Sequence, residues 1–308
     1  MNGKRLSIIL LALSFSIPSL FGGCEGLPEA GTAIGQAVGV IDDDEADSIL
    51  RGSAAVQKTF QDLTPEHEYY IGRAVAAKVL QSYQPFDRPE ANAYLNLLGQ
   101  SLAAFSNRPE TFGGYHFLLL DSEEINAFAA PGGLILVTRG MVQCCQNEDE
   151  LAAVLAHEIG HVEKKHGLSA IKQARLTSAF TILAAEAGKQ FGGEDLAQLT
   201  EAFEGSVGDI VMTLTTRGYS RQQERSADAA AVEILRRAGY PQTALVTMLE
   251  RMGQRLGSTS TPGFARTHPS AQSRIESVSP TIMDAGTTSN AVRQQRFAKA
   301  MQSVVAAK

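Results

Sequence analysis

Two histidines and a glutamate stand in the order His157-Glu158-Ile159-Gly160-His161. On a helix, residues four apart lie on one face, about one turn from each other. Both imidazoles can then converge on one metal ion. Glu158 points partly to the same side, where it can take a proton from a water activated by that ion. The chemistry is metal-assisted hydrolysis, and His-Glu-x-x-His on a helix is its short signature. The competing account is a solvated helix that carries two histidines. Leu151, Val154, Leu155 and Ile159 recur at helical spacing around the pair and argue for a buried helix instead.

A catalytic zinc takes three protein ligands and leaves one place open. His166 is five residues past His161, about 140° round a continuing helix, and so faces elsewhere. A third histidine in the extended form of the motif would stand at 167, which is Gly167. A carboxylate from a later helix remains. Glu224 is favoured because Asp228 follows it by four residues. Glu224 would complete the metal site, and Asp228 would accept the free N–H of a ligand histidine. An exposed charged face, paired with Arg221 and Arg225, is the other reading of these two acids. Glu201, Glu204 and Glu233 compete for the ligand role, but none has an aspartate at that spacing.

Several elements must position these groups. Thr64-Pro65-Glu66 opens a helix running to about Tyr83, with Thr64 as N-cap. A second helix covers about Pro89 to Phe105. Tyr115–Leu120 and Leu134–Val137 read as strands, with Ile125–Ala130 and the turn Pro131-Gly132-Gly133 between them. Gly140–Gln146 forms a short helix. The histidine helix follows, with Asn147-Glu148-Asp149-Glu150 at its start, and continues to about His166. Residues 176–185 and 195–214 are two further apolar or amphipathic pieces that could form a lid. Helices follow at Arg221–Ala238, from Pro241 to about Leu256 and at Ala271–Val278. The last twenty residues read as an amphipathic helix on the surface, with Val292, Phe297, Met301 and Val304 on one side. The fold class is α+β, mainly α-helical, with a small sheet packed on the His-Glu-x-x-His helix.

The 308 residues are 44% hydrophobic, enough for a sizeable core. A net charge of -6, no tryptophan and no long basic run speak against nucleic acid as a partner. Lys4 and Arg5 precede the apolar run Leu6–Phe15, which is short for a membrane span and suits an export signal. Leu20-Phe21-Gly22-Gly23-Cys24 is similar to a lipoprotein cleavage site, with Phe21 where leucine is usual. Lipidation of Cys24 would tether the chain to a membrane without spanning it. Cys144 and Cys145 are adjacent and read as small residues at a helix end, not as a disulfide. His116, inside a strand, reads as a core or surface histidine.

The motifs together resemble a known family. They are Asn126-Ala-Phe-Ala-Ala-Pro-Gly-Gly133, Asp149 to His161, Arg221-Gln-Gln-Glu-Arg-Ser-Ala-Asp228 with Ala238-Gly-Tyr240, and Thr267-His-Pro269 with Arg274-Ile275. The family is the gluzincin metallopeptidases that include HtpX, the CAAX prenyl protease, the mitochondrial Oma protease and BepA, and this chain looks closest to the exported, soluble, lipoprotein-like members. The resemblance implies a zincin-like metalloprotease domain and one Zn2+ held by His157, His161 and Glu224. It implies Glu158 as general base and Asp228 behind the ligands. His268 is a second catalytic candidate, as an oxyanion donor or as a group that blocks the open metal position; capping the next helix is its structural alternative. Gly133, Leu134, Ile135 and Leu136 are expected to bind substrate as an edge strand, unless that strand is internal.

The expected organisation is an export signal over 1–24, a spacer and weak helix over 25–60, the peptidase domain over 61–280 and a helical tail over 281–308. The expected function is a zinc-dependent metalloendopeptidase of the bacterial cell envelope. It would act on unfolded or misassembled envelope proteins, exported to the periplasm and membrane-tethered if Cys24 is acylated. The alternative is an envelope chaperone or assembly factor with latent proteolysis. A purely structural zinc is disfavoured, since such sites normally take four protein ligands, usually with cysteine.

Overall fold

A computed structural model describes residues 63–171, 193–257, 268–283 and 290–307. The chain divides into two units, Met1–Gln57 and Lys58–Lys308, and all described residues lie in the second. The export signal, Cys24, the spacer over 25–60, the piece over 176–185 and the loop over 258–267 fall outside the described residues. No helix among the described residues is long and apolar enough to cross a membrane.

The fold is mainly helical with a small three-stranded sheet. Helix α1 (Pro65–Val79) starts where Thr64 accepts from the His67 N–H, with Pro65 in the first turn. Helix α2 is Pro89–Ala103. Strands β1 (His116–Leu120), β2 (Ala127–Ala130) and β3 (Leu134–Thr138) follow, with a 3-10 turn at Pro131–Gly133. Then come α3 (Arg139–Cys144), α4 (Glu148–Glu163), the short α5 (His166–Ser169) and α6 (Gly193–Met212). Helices α7 (Arg221–Arg237), α8 (Thr243–Gly257), α9 (Ala271–Val278) and α10 (Ala291–Val305) complete the described elements.

The sheet order is β1-β3-β2, with β1 parallel and β2 antiparallel to β3. This overturns the edge-strand expectation for Gly133, Leu134, Ile135 and Leu136. From Leu134 on, the β3 backbone is paired on both sides, so no free ladder remains there for a substrate. The outer edge of β1 is closed too. Asn92, Asn96 and Gln100 stand one turn apart on α2, and their amides bond the backbone of alternate residues in β1 and just before it. Asn92 accepts from Leu119 N at 2.9 Å, Asn96 accepts from Phe117 N at 2.9 Å, and Gln100 donates to Tyr115 O at 3.1 Å.

Strand alternation divides the core into two clusters. Phe117, Leu119, Ala127, Ala129, Ile135 and Val137 join the main core with residues of α2, α4, α7 and α8. Leu120, Phe128, Ala130 and Leu136 face the other way, onto Ile71, Val75 and Val79 of α1 and Val207 and Ile210 of α6. Phe297, Met301 and Val304 of α10 belong to the main core, so the C-terminal helix is an integral part of it. Cys144 and Cys145 are free thiols buried in that core.

Helix α4 is buried on every side from Glu148 to Val162. Its first turn carries three acids near the positive end of the helix dipole. Each is held by an arginine from the C-terminal helices. Glu148 accepts from Arg296, and from the Tyr94 and Tyr240 hydroxyls at 2.7 Å each. Asp149 pairs with Arg293 at 3.2 Å and Glu150 with Arg251 at 2.9 Å. Burial would raise the Glu148 carboxyl, but Arg296 and the two tyrosines outweigh it and hold it below the usual range. A lowered folded pKa contributes stability above the unfolded value of about 4.3 and loses it as pH falls. Glu148→Gln is therefore expected to cost about 1–3 kcal/mol at pH 7. Thermal unfolding across a pH series should show that gap to the parent closing below about pH 4.5; a constant gap would contradict the assignment.

Candidate active site

The histidine pair is set by α4. Asn147 caps it by accepting from Glu150 N at 2.9 Å, and the apolar residues around the pair bury it. His157 Nε2 and His161 Nε2 converge to 3.1 Å. The helix does not reach His166 as its periodicity suggests. Lys165 takes a left-handed conformation, φ 54°, and breaks the helix there. His166 is thereby turned back, and its Nδ1 lies 2.9 Å from His161 Nδ1. The expectation that His166 faces elsewhere assumed a continuous helix and is overturned.

The other half of the site comes from α7. Ser220 and Gln223 form a reciprocal capping box at its start. Gly160 lets α7 approach: a Cβ there would lie 2.8 Å from Ala227 O. At this closeness Glu224 reaches both histidines. Its Oε2 is 3.6 Å from His157 Nε2 and its Oε1 is 3.6 Å from His161 Nε2. One turn on, Asp228 Oδ1 is 3.0 Å from His157 Nδ1. His268, just before α9, places Nδ1 2.7 Å from Glu224 Oε1. Ligand atoms of His157, His161, Glu224 and His268 all lie within 4.8 Å of one another, and all four residues are buried.

This donor set fits zinc. Two imidazoles and a carboxylate are its usual catalytic ligands, and donors about 2.0–2.1 Å from a tetrahedral ion stand about 3.3 Å apart. Here the two histidine nitrogens are 3.1 Å apart, and each lies 3.6 Å from a different oxygen of Glu224. Glu158 is 2% exposed, and its Oε1 has no hydrogen-bond partner among the described residues. Burial pushes its carboxyl up to about 7, Glu224 adds to that, and His157 opposes it. Burial would also raise Glu224, but His268, His157 and Arg274 hold it below the usual range. Burial, first of all, lowers His161 and His268, so both rings favour the neutral form.

Three residues with no role in the sequence reading join the site. Arg274 on α9 is buried and binds Asp228 with both arms of its guanidinium, Nε at 3.0 Å and Nη2 at 2.5 Å. Burial would raise Asp228, but Arg274 and His157 drive its carboxyl well below the usual range. Arg274 stood in a quoted motif, yet a single arginine on a short helix carries no spacing signal. His166 is the second. Tyr219 is the third: its ring stacks on His161 with centroids 4.2 Å apart, following a π-helical turn at Thr213–Arg217. No spacing marked it. The competing acids lie elsewhere. Glu201 and Glu204 are exposed, and Glu233 pairs with Arg236 and Arg237. His116 is exposed and bonds Gly113 O, away from these residues.

A sequence model of Peptidase family M48 matches residues 89–282. The Beta-barrel assembly-enhancing protease of Escherichia coli (strain K12) is 32% identical over 195 residues, which is 61% of this chain and 38% of that protein. The Mitochondrial metalloendopeptidase OMA1 of Schizosaccharomyces pombe is 29% identical over 209 residues, 68% of this chain and 56% of that protein. Metalloprotease LoiP of Escherichia coli (strain K12) is 28% identical over 157 residues, 51% of this chain and 58% of that protein. The chain thus spans 38% to 58% of the length of these relatives.

Proposed function

The chain belongs to peptidase family M48, and from that premise we propose that it is a zinc-dependent metalloendopeptidase of the bacterial cell envelope acting in protein quality control. The observation that carries this reading is the buried convergence of His157, His161, Glu224 and His268. His157, His161 and Glu224 would hold the ion. When bound, zinc lowers the pKa of a water toward about 7 and polarises the scissile carbonyl.

The chain's own residues do the rest. Glu158 takes the proton of the attacking water on its carboxylate and returns it to the leaving amine. Asp228 accepts the Nδ1–H of His157, which leaves the His157 Nε2 lone pair for the ion. Arg274 neutralises Asp228, so this buried carboxylate does not stand uncompensated. His268 lies among the donors, which favours its role as a group that occupies the open position at rest over that of an oxyanion donor.

In this reading the substrates are unfolded or misassembled envelope proteins. The name of the Escherichia coli relative joins protease to assembly enhancement, which keeps an assembly role in view beside hydrolysis. Export and a lipid anchor at Cys24 complete the reading and rest on the sequence of residues 1–24.

Chelation is the simplest test. Hydrolysis of an unfolded protein such as casein should stop on removal of the metal and return with one equivalent of zinc per chain. Digestion that a chelator leaves unchanged would overturn the proposal.

A further inference from the structure

We propose that His166 is a positioning residue that fixes which ring nitrogen of His161 carries the proton. The inference rests on the metal site proposed above. His161 turns Nε2 toward His157 and Glu224, so a ligand role needs the lone pair on Nε2 and the proton on Nδ1. The described residues supply a chain of contacts that enforces this choice.

Ser226 Oγ donates to the Gln223 carbonyl at 2.8 Å. A carbonyl oxygen only accepts, so the single hydroxyl proton of Ser226 is committed there. Toward His166 Nε2, 3.1 Å away, Ser226 Oγ can then only accept. His166 Nε2 therefore carries a proton and donates it. The other nitrogen of a neutral His166, Nδ1, is left with a lone pair, and it faces His161 Nδ1 at 2.9 Å. His161 Nδ1 donates into that lone pair, which leaves the lone pair of His161 on Nε2.

Two features hold the chain in place. The left-handed Lys165 turns His166 back onto His161. Ser169 Oγ then donates to His166 O at 2.6 Å and receives Gln223 Nε2 at 2.7 Å, which ties α5 to the start of α7. Helix α7 thus orients both histidines: His157 through Asp228, and His161 through Ser226 and His166. The second route uses neutral groups only, so no further charge is buried beside the first carboxylate.

The test compares His166→Leu, which removes the acceptor, with His166→Asn, whose amide oxygen can take the place of Nδ1. Zinc affinity is read by competition with a chromogenic chelator. A nitrogen–proton correlation spectrum of isotope-labelled histidines reads the His161 tautomer in the metal-free protein. The expected result is zinc affinity weaker by about 10–100-fold in His166→Leu, with most of that loss recovered in His166→Asn. The metal-free parent should show His161 protonated on Nδ1. The inference is overturned by His166→Leu binding zinc as tightly as the parent, by His166→Asn losing as much as His166→Leu, or by a parent His161 protonated on Nε2. Should His166→Leu fail to fold, the parent's tautomer decides. A parent that binds no zinc sinks the metal reading instead, and the tautomer still settles the role of His166.

Discussion

Glu158→Gln is expected to lower peptide hydrolysis by about 10²–10⁴-fold while zinc stays bound. Glutamine keeps the shape of the side chain but cannot take a proton. Glu158 lies outside the group of converging donor atoms, so the change leaves the metal donors in place. Its Oε1 has no hydrogen-bond partner among the described residues, so no structural network is broken by the substitution. The measurement pairs the rate on an unfolded protein with the zinc content of the same sample. A normal rate with zinc bound would contradict the base assignment. The same variant separates hydrolysis from assembly. If Glu158→Gln restores envelope function to cells lacking the protein, the main role is holding clients, with proteolysis latent.

Arg274→Met is expected to be the most destabilising single change at the site, by about 3–5 kcal/mol. Both arms of the guanidinium bind Asp228, and Arg274 is 3% exposed, so methionine would leave a buried carboxylate facing only His157. The hydrogen bond from His157 would then have to compensate the whole charge. Zinc affinity should fall with stability, since Asp228 orients a ligand. Asp228→Asn in the same background should recover part of the stability, because it removes the charge that Arg274 compensates. Denaturant unfolding of the two single variants and the double variant measures this coupling. Additive losses would show that Arg274 acts through packing alone.

Much of this architecture was legible in the sequence because local rules were obeyed. Thr64 is the cap that the structure uses, the acids Glu148, Asp149 and Glu150 stand in the first turn of α4, and the short apolar runs form β1 and β3. Glu224 and Asp228, four apart in the sequence, both lie on the buried face of α7. What was missed depends on long-range arrangement. Helical periodicity extrapolated past Lys165 because a left-handed lysine has no sequence signature, and that hid His166. Arg274 reaches Asp228 across 46 residues of chain, a pairing that spacing does not encode.

The edge assignment of Leu134–Val137 failed for a different reason. Strand order is not written in local pattern. Yet the run Leu-Ile-Leu-Val, apolar at every position, is what a strand buried on both faces requires, and it pointed to a central strand. The C-terminal helix was read as an amphipathic helix packing on the surface. Three of its apolar residues nevertheless fill the main core, and Arg293 and Arg296 fasten the helix to the start of α4.

In the proposed function one zinc ion joins α4 to α7. An anomalous difference map at the zinc edge, from a zinc-loaded crystal, tests it most directly. The expected result is one peak per chain, about 2.0–2.1 Å from a nitrogen of His157, a nitrogen of His161 and a carboxylate oxygen of Glu224. A peak that engages the two histidines without Glu224, or one that lies away from them, would contradict the account.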